Sequence, residues 1–318
     1  MIDKLEVRVS AGTAFTSRFE SLFLTAKFNF SRHYMIVADL RPFAYDAILH
    51  YACRHGKERN HKVELVDTAG MSHLGMVKAI EEIFAVDANR LGVMRIDLAV
   101  DVPGVSVPWF AEHARIKYKR FLAKLGVVET AEMGDRQIQT LYYGKRPNVF
   151  RIYDKLQEYR IQFQRMLRQI ASDIAPPTFE QCFGVPESGH ILTRVERQFG
   201  GGRIPAELAS VGDLVRCAAF NPFESLELVT GGSPEPSPLD YTFTDYCAGM
   251  HLRHIARTQG MQAAIAFVIR HSKRNKKWAL DKFREFLPVA RDSDITAERL
   301  FELFQRSVNA QLRGPESA

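Results

Sequence analysis

Apolar residues along this chain recur at two periods, and the period predicts the element. "KLEVRV" (4–9) and "VMRIDLAVDVPG" (93–104) alternate every two residues, as a strand with one buried face does, and "YMIVADL" (34–40), "KVELVDT" (62–68) and "HILTRVERQFGGG" (190–202) are expected to be strands as well. "SLFLTAKFNF" (21–30) is expected to be a further strand. "PFAYDAILHYACRHG" (42–56) has helical spacing with Pro at its start and Gly at its end, and is expected to be a helix. The helical period also covers "GMVKAIEEIFAV" (75–86), the basic "VPWFAEHARIKYKRFLAKLG" (107–126) and "LQEYRIQFQRMLRQIA" (156–171). Between "QTLYYG" (139–144) and "VFRIYDK" (149–155), the residues Gly, Lys, Arg, Pro and Asn signal a hairpin turn.

Strands and helices interleave and hairpin signals are frequent. That predicts an α+β fold, a largely antiparallel sheet covered by helices. The turn-rich "TGGSPEPSPLD" (230–240) reads as a linker or long surface loop, and beyond it residues 241–312 carry helical patterns and almost no strand signal. The expected division is therefore a sheet domain over 1–235 and a helical C-terminal subdomain over 236–318.

Composition narrows the partners. With 318 residues, 46% hydrophobic and 25% charged, the chain is that of an ordinary soluble globular protein. A net charge of +6 and a pI near 9.1 favour acidic partners such as nucleic acid or an anionic membrane. Cys53, Cys182, Cys217 and Cys247 lie far apart with no C-x-x-C pair, which argues against a zinc site and a disulfide framework. "MIDKLEVRVSAG" has no apolar core for a signal peptide, and no apolar run is long enough for a membrane span. A cytoplasmic protein without a membrane partner is expected.

Three polar strand faces carry the candidate chemistry. In "MRIDLAVD", Arg95, Asp97, Ala99 and Asp101 share one face, and the two acids flanking a small alanine suit a hard divalent cation. In "TRVERQF", Arg194, Glu196 and Gln198 share a face. In "VFRIYDK", Arg151, Tyr153 and Lys155 do. Each run alone has a plainer reading as a solvated sheet face or an exposed Arg–Glu pair. Together they place acids, cations and a phenol in one compact set, which a merely wet face does not require.

In this order and spacing, "MRIDLAVD", "TLYYGKRPNVFRIYDKLQE" and "LTRVERQF" resemble the replication initiation factors of rolling-circle plasmids and filamentous phages, the trans-acting Rep proteins. The resemblance covers roughly residues 1–200 and extends to the opening "MIDKLEVRV". It implies a Rep-type nicking core, in which a tyrosine cuts one strand of a replication origin. The phenolate joins the 5′ phosphate and frees a 3′ hydroxyl. Carried over by position, Tyr153 is the nucleophile, with Arg151, Lys155 and Arg194 catalytic beside it and Asp97, Asp101 and Glu196 binding Mg2+ or Mn2+. Neighbouring cations or the metal are expected to favour the ionised phenol, whose ordinary pKa is about 10. Tyr143 and Tyr159 are the next candidates. Partners implied are origin DNA, single-stranded or as a hairpin, a host helicase, since the chain has no P-loop, and by family analogy a second subunit in a homodimer.

Further DNA contacts are expected from Lys145 and Arg146 in the hairpin loop. They are also expected from Lys273, Arg274, Lys276, Lys277 and Trp278 in "RHSKRNKKWALDKFR" (270–284). The basic 115–124 run is a second candidate, though its apolar residues suit packing on the sheet. The loop departs from the family pattern, with Lys145, Arg146 and Pro147 where small hydroxyl residues flank an arginine. No H-x-H and no Y-x-x-x-Y occurs, which disfavours histidine-metal Rep enzymes and a two-tyrosine relay. "HIAR" (254–257) matches the H-x-x-R of tyrosine recombinases, but no tyrosine follows Tyr246. The rival from another class is an origin- or operator-binding regulator that does not cleave.

Overall fold

The computed structural model describes residues 1–23, 28–41, 47–55, 59–66, 68–116, 122–129, 136–145, 148–169, 175–228, 242–259, 264, 267, 268, 270 and 295–313. Its elements are β1 (Ile2–Val9), α1 (Ser17–Phe23), β2 (Phe28–Asn29), β3 (Tyr34–Asp39), β4 (Ala47–Cys53) and β5 (His61–Leu65). Next come α2 (His73–Glu81), β6 (Val93–Pro103), α3 (Val107–His113), β7 (Ala114–Ile116), β8 (Leu122–Glu129), β9 (Arg136–Lys145) and β10 (Asn148–Asp154). The chain continues through α4 (Lys155–Leu167), α5 (Phe179–Phe183), β11 (Leu192–Gly200), β12 (Leu226–Leu228), α6 (Phe243–Gln259) and α7 (Ala297–Arg313).

Ten strands form one sheet in the order β2-β3-β4-β5-β1-β6-β11-β10-β9-β8, and every neighbouring pair is antiparallel. The α+β expectation therefore holds. The two-residue period sorts each central strand into two faces. Leu5, Val7, Val63, Leu65, Ile96, Leu98, Val100, Val195, Phe150, Ile152 and Leu141 are buried on one of them. Covering residues are Met76 and Ile80 of α2, Phe110 of α3, Leu214 and Cys217 of a 3-10 turn (Gly212–Ala219), and Leu300, Phe304 and Val308 of α7. Arg197 is the cation on this apolar face: it stacks over Phe150 and Phe199 with its guanidinium carbon 4.3 and 5.0 Å from the ring centres. Burial lowers its pKa to about 10.

Three helix and strand expectations are overturned. Residues 47–53 form β4 instead of a helix: a short apolar run suits both periods, and pairing with β3 and β5 decides. "SLFLTAKFNF" begins inside α1, whose Phe19 is buried, and among its described residues only Phe28–Asn29 is strand. The basic helix over 107–126 stops at His113: Ala114–Ile116 pairs with β12, and Leu122–Glu129 pairs with β9. In the first and third cases backbone pairing between strands outweighs local propensity.

The expected boundary at 235/236 falls outside the described residues. The last helix belongs to the main core, since Phe304 meets Phe223 edge-on with ring centres 5.6 Å apart. Buried Gln311 sutures α7 to β1: its side-chain oxygen accepts from the Ile2 N–H at 2.6 Å, and its amide donates to the Ile2 carbonyl at 3.0 Å and to that of Thr68. Phe304→Ala should therefore destabilise the sheet domain by about 3–5 kcal/mol, measured by chemical denaturation of the whole chain. An effect under about 1 kcal/mol would show that α7 is not part of the cooperative unit.

Candidate active site

The opposite face of the central sheet is polar, and register brings the three candidate strands together. β11 lies between β6 and β10, so Arg194 is across from Asp101 on one side and Tyr153 on the other. Glu196 is likewise across from Ala99 and Arg151, and Gln198 from Asp97 and Val149. The alanine methyl leaves room for the long side chains around it.

Asp97 and Glu196 are almost wholly buried, at 1% and 0% side-chain exposure. Charges so placed require partners. Arg95 grips Asp97 through two bonds, Nε to Oδ1 at 2.9 Å and Nη2 to Oδ2 at 2.5 Å. Arg151 reaches across β11: its Nη2 donates to Asp97 Oδ2 at 3.3 Å and to Glu196 Oε1. Arg194, 4% exposed, donates to Asp101 Oδ1 and Oδ2 at 2.6 and 2.7 Å, and to Asp3. Four carboxylates and three guanidinium groups thus pair across β1, β6, β11 and β10, in one group around Asp97 and Glu196 and a second around Arg194.

Tyr153 sits at one end of this lattice. Its hydroxyl donates to Glu196 Oε2 at 3.4 Å, a long bond for O–H···O. Burial, then the charge of Glu196, pushes the phenol well above its ordinary range, and the opposing pull of Arg194 does not compensate. This departs from the expectation that neighbouring cations favour the ionised phenol: burial outweighs them, and the acids have already paired with them. Burial also raises Glu196 to about 7, against the pull of Arg151 and with the help of Asp97. A carboxylate beside a phenol, titrating near neutrality, is suited to accept its proton.

Lys155 is not on this strand face. Asp154 ends β10 by capping α4, accepting from the Gln157 N–H at 2.9 Å, and Lys155 becomes the first helical residue. Its ammonium pairs with Glu158 at 2.6 Å and lies 4.6 Å from the centre of the Tyr159 ring. Tyr159 in turn stacks on Phe183 of α5, while Tyr143 points into the opposite, apolar core. Lys145 closes β9; Arg146, Lys273, Arg274, Lys276, Lys277 and Trp278 lie outside the described residues.

The expected Mg2+ or Mn2+ does not fit this arrangement. Asp97, Asp101 and Glu196 each accept from a guanidinium, and among the described residues no three His, Cys, Asp or Glu side chains are grouped to hold a metal ion. Asp3 is the site residue that the sequence reading missed. Strict alternation puts it on the core face with Leu5, but a register shift between Ile2 and Lys4 turns it to the polar one. The paired charges continue outward: Lys4 and Lys62 both bind Glu64, and Lys62 binds Glu6 at 2.9 Å.

No protein-family model and no curated protein matches this chain. Its fold is similar to that of a solved structure, the rolling circle replication initiator protein from Geobacillus stearothermophilus. The two share 13% identity over 76% of this chain and 90% of that one, with a TM-score of 0.42. The chemistry of the site rests on its own side chains. No helix among the described residues is long and apolar enough to cross a membrane.

The raised pKa of Glu196 has a definite sign in stability. Its native value, about 7, exceeds the ordinary 4.5, so the native state holds this proton more tightly than the unfolded chain does. Its contribution is fully present below about pH 4.5 and is lost as pH rises through about 7. Stability of wild type minus that of Glu196→Gln should fall across this window and level off above it, as read from denaturation midpoints at stepped pH. A difference that stays constant between pH 4 and 8 would place Glu196 in its ordinary range.

Proposed function

We propose that the chain is a rolling-circle DNA replication initiator that cuts and rejoins one strand through Tyr153. The observation that carries this reading is the approach of Tyr153 to Glu196, 3.4 Å from oxygen to oxygen, inside an arginine–carboxylate lattice on four adjacent strands. A phenol with a raised pKa attacks only if its proton leaves as the new bond forms. Glu196 Oε2 accepts that proton while Tyr153 Oη bonds to phosphorus. The bond from phosphorus to the 3′ oxygen breaks, the 3′ oxygen takes a proton from water, and the 5′ phosphate stays on the tyrosine. Rejoining is the reverse sequence with a 3′ hydroxyl as nucleophile.

Arg151 is the guanidinium suited to the phosphate. At 27% side-chain exposure it is the more open of the two arginines carried over as catalytic, and its buried Nε–H has no hydrogen-bond partner. A non-bridging phosphate oxygen would supply one. Arg194, turned to Asp101 and Asp3, acts by holding β11 and Tyr153 in register. DNA is the partner this chemistry requires; a helicase and a second subunit follow from the resemblance alone.

A second reading is favoured by one observation: every carboxylate of the lattice already has a cation. A regulator that binds an origin or operator without cleaving needs no more than a folded sheet and basic surface.

Denaturing gels of 3′-labelled hairpin oligonucleotides incubated with the chain separate the two. Wild type should leave a covalent protein–DNA band, Tyr153→Phe should bind but leave none, and Glu196→Gln should slow adduct formation by about 10²–10⁴-fold. The wild-type rate should rise with pH and flatten above about 7, where Glu196 becomes the base form. An adduct formed at the wild-type rate by Tyr153→Phe would move the nucleophile elsewhere. Tight binding with no wild-type adduct would favour the regulator.

A further inference from the structure

Asp97 and Glu196 come from adjacent strands, and one guanidinium spans them. Arg151 Nη2 donates to Asp97 Oδ2 and to Glu196 Oε1, while Arg95 holds both oxygens of Asp97 from the other side. A hard divalent ion would need those same oxygens, within about 2.0–2.6 Å and from several directions. A divalent ion added to the two guanidinium groups already on these oxygens would meet strong repulsion in a site this buried. The acids cannot stand alone either, because an unpaired carboxylate at 0–1% exposure carries a cost of several kcal/mol. While both acids are ionised, a cation must lie beside them.

We propose that Arg151 is the resident cation of the Asp97–Glu196 pair and that, in the DNA-free chain, it closes that pair to divalent metal. The guanidinium suits the role: it keeps its charge at every working pH, and its planar fork reaches two carboxylates at once. It sits on a central strand, paired through Glu196 to β11 and through Tyr142 to β9, so backbone register holds it in place. Glu196 is thereby left as a proton acceptor rather than a metal ligand. This deepens the proposed function by naming the cation of the same site, and rests on that reading only for the use to which the cation is put.

The test is Mn2+ uptake by the full-length chain without DNA, followed by the electron paramagnetic resonance signal of free Mn2+. Arg151→Ala should take up one ion per chain at least about tenfold more tightly than wild type, and adding Glu196→Gln to it should abolish the gain. Arg151→Lys, which keeps a cation, should behave as wild type. The melting temperature of Arg151→Ala should rise with Mn2+ while that of wild type does not. Equal affinity in wild type and Arg151→Ala, or a folded Arg151→Ala that takes up no more Mn2+ than wild type, would overturn the proposal. Should Arg151→Ala fail to fold even with Mn2+, Arg151→Gln, which carries no charge, is measured against the same two outcomes. Tyr153→Phe should match wild type in Mn2+ uptake, so a wrong nucleophile and a wrong cation give different results.

Discussion

Burying charge on a β-sheet is the constraint on which this structure depends. Asp97 and Glu196 are shut off from water in the middle of the sheet, and each is stable as an ion only while a guanidinium touches it. That requirement fixes more than side chains. Slipping β10 by one residue relative to β11 would send Arg151 and Tyr153 to the apolar face and bring Phe150 and Ile152 to the acids. The same slip between β6 and β11 would part Arg194 from Asp101. Apolar packing on one face and ion pairing on the other therefore specify a single register.

Such a lattice resists the chemistry it is proposed to perform. Arginines that neutralise acids do little to ionise a nearby phenol, and burial raises the phenol further. Reactivity then depends on a paired base rather than on a preformed phenolate. Glu196 has that position because Arg151 holds one of its oxygens and Tyr153 approaches the other. A phosphate that engages Arg151 would weaken its hold on Glu196 and raise the basicity of that carboxylate at the moment a proton must move. Under the proposed function, substrate binding and base strength would be coupled through one guanidinium.

Outside the lattice, the fold mainly makes it rigid. α7 returns from the C-terminal part of the chain to seal the apolar face, and Gln311 occupies the backbone groups of Ile2 next to Asp3. The residue that orients Arg194 from β1 is thus anchored by the last helix. The small cluster of Leu156, Phe163 and Phe179 braces the other end, where Leu192 shares the polar side of β11 with Arg194. Asp154 converts the strand that carries Tyr153 into the helix that covers this cluster.

Much of this was legible in the sequence wherever a two-residue period was unbroken. The strands bearing Asp97 and Asp101, Arg151 and Tyr153, and Arg194 and Glu196 were readable, as were the sides on which those residues lie. Alternation is a local property of a pleated backbone, and an apolar core on one side imposes it. Three things were decided only by the tertiary structure. Residues 47–53, 114–116 and 122–129 became strands because other strands offered them hydrogen bonds, which no local period records. Asp3 entered the site through a register shift, and Lys155 left the strand face through a helix cap. The state of the site was also hidden: acids spaced for a metal look the same in sequence whether an ion or an arginine lies between them. Which cation is there depends on how far a side chain reaches across neighbouring strands, and strand order is not written in any one of them.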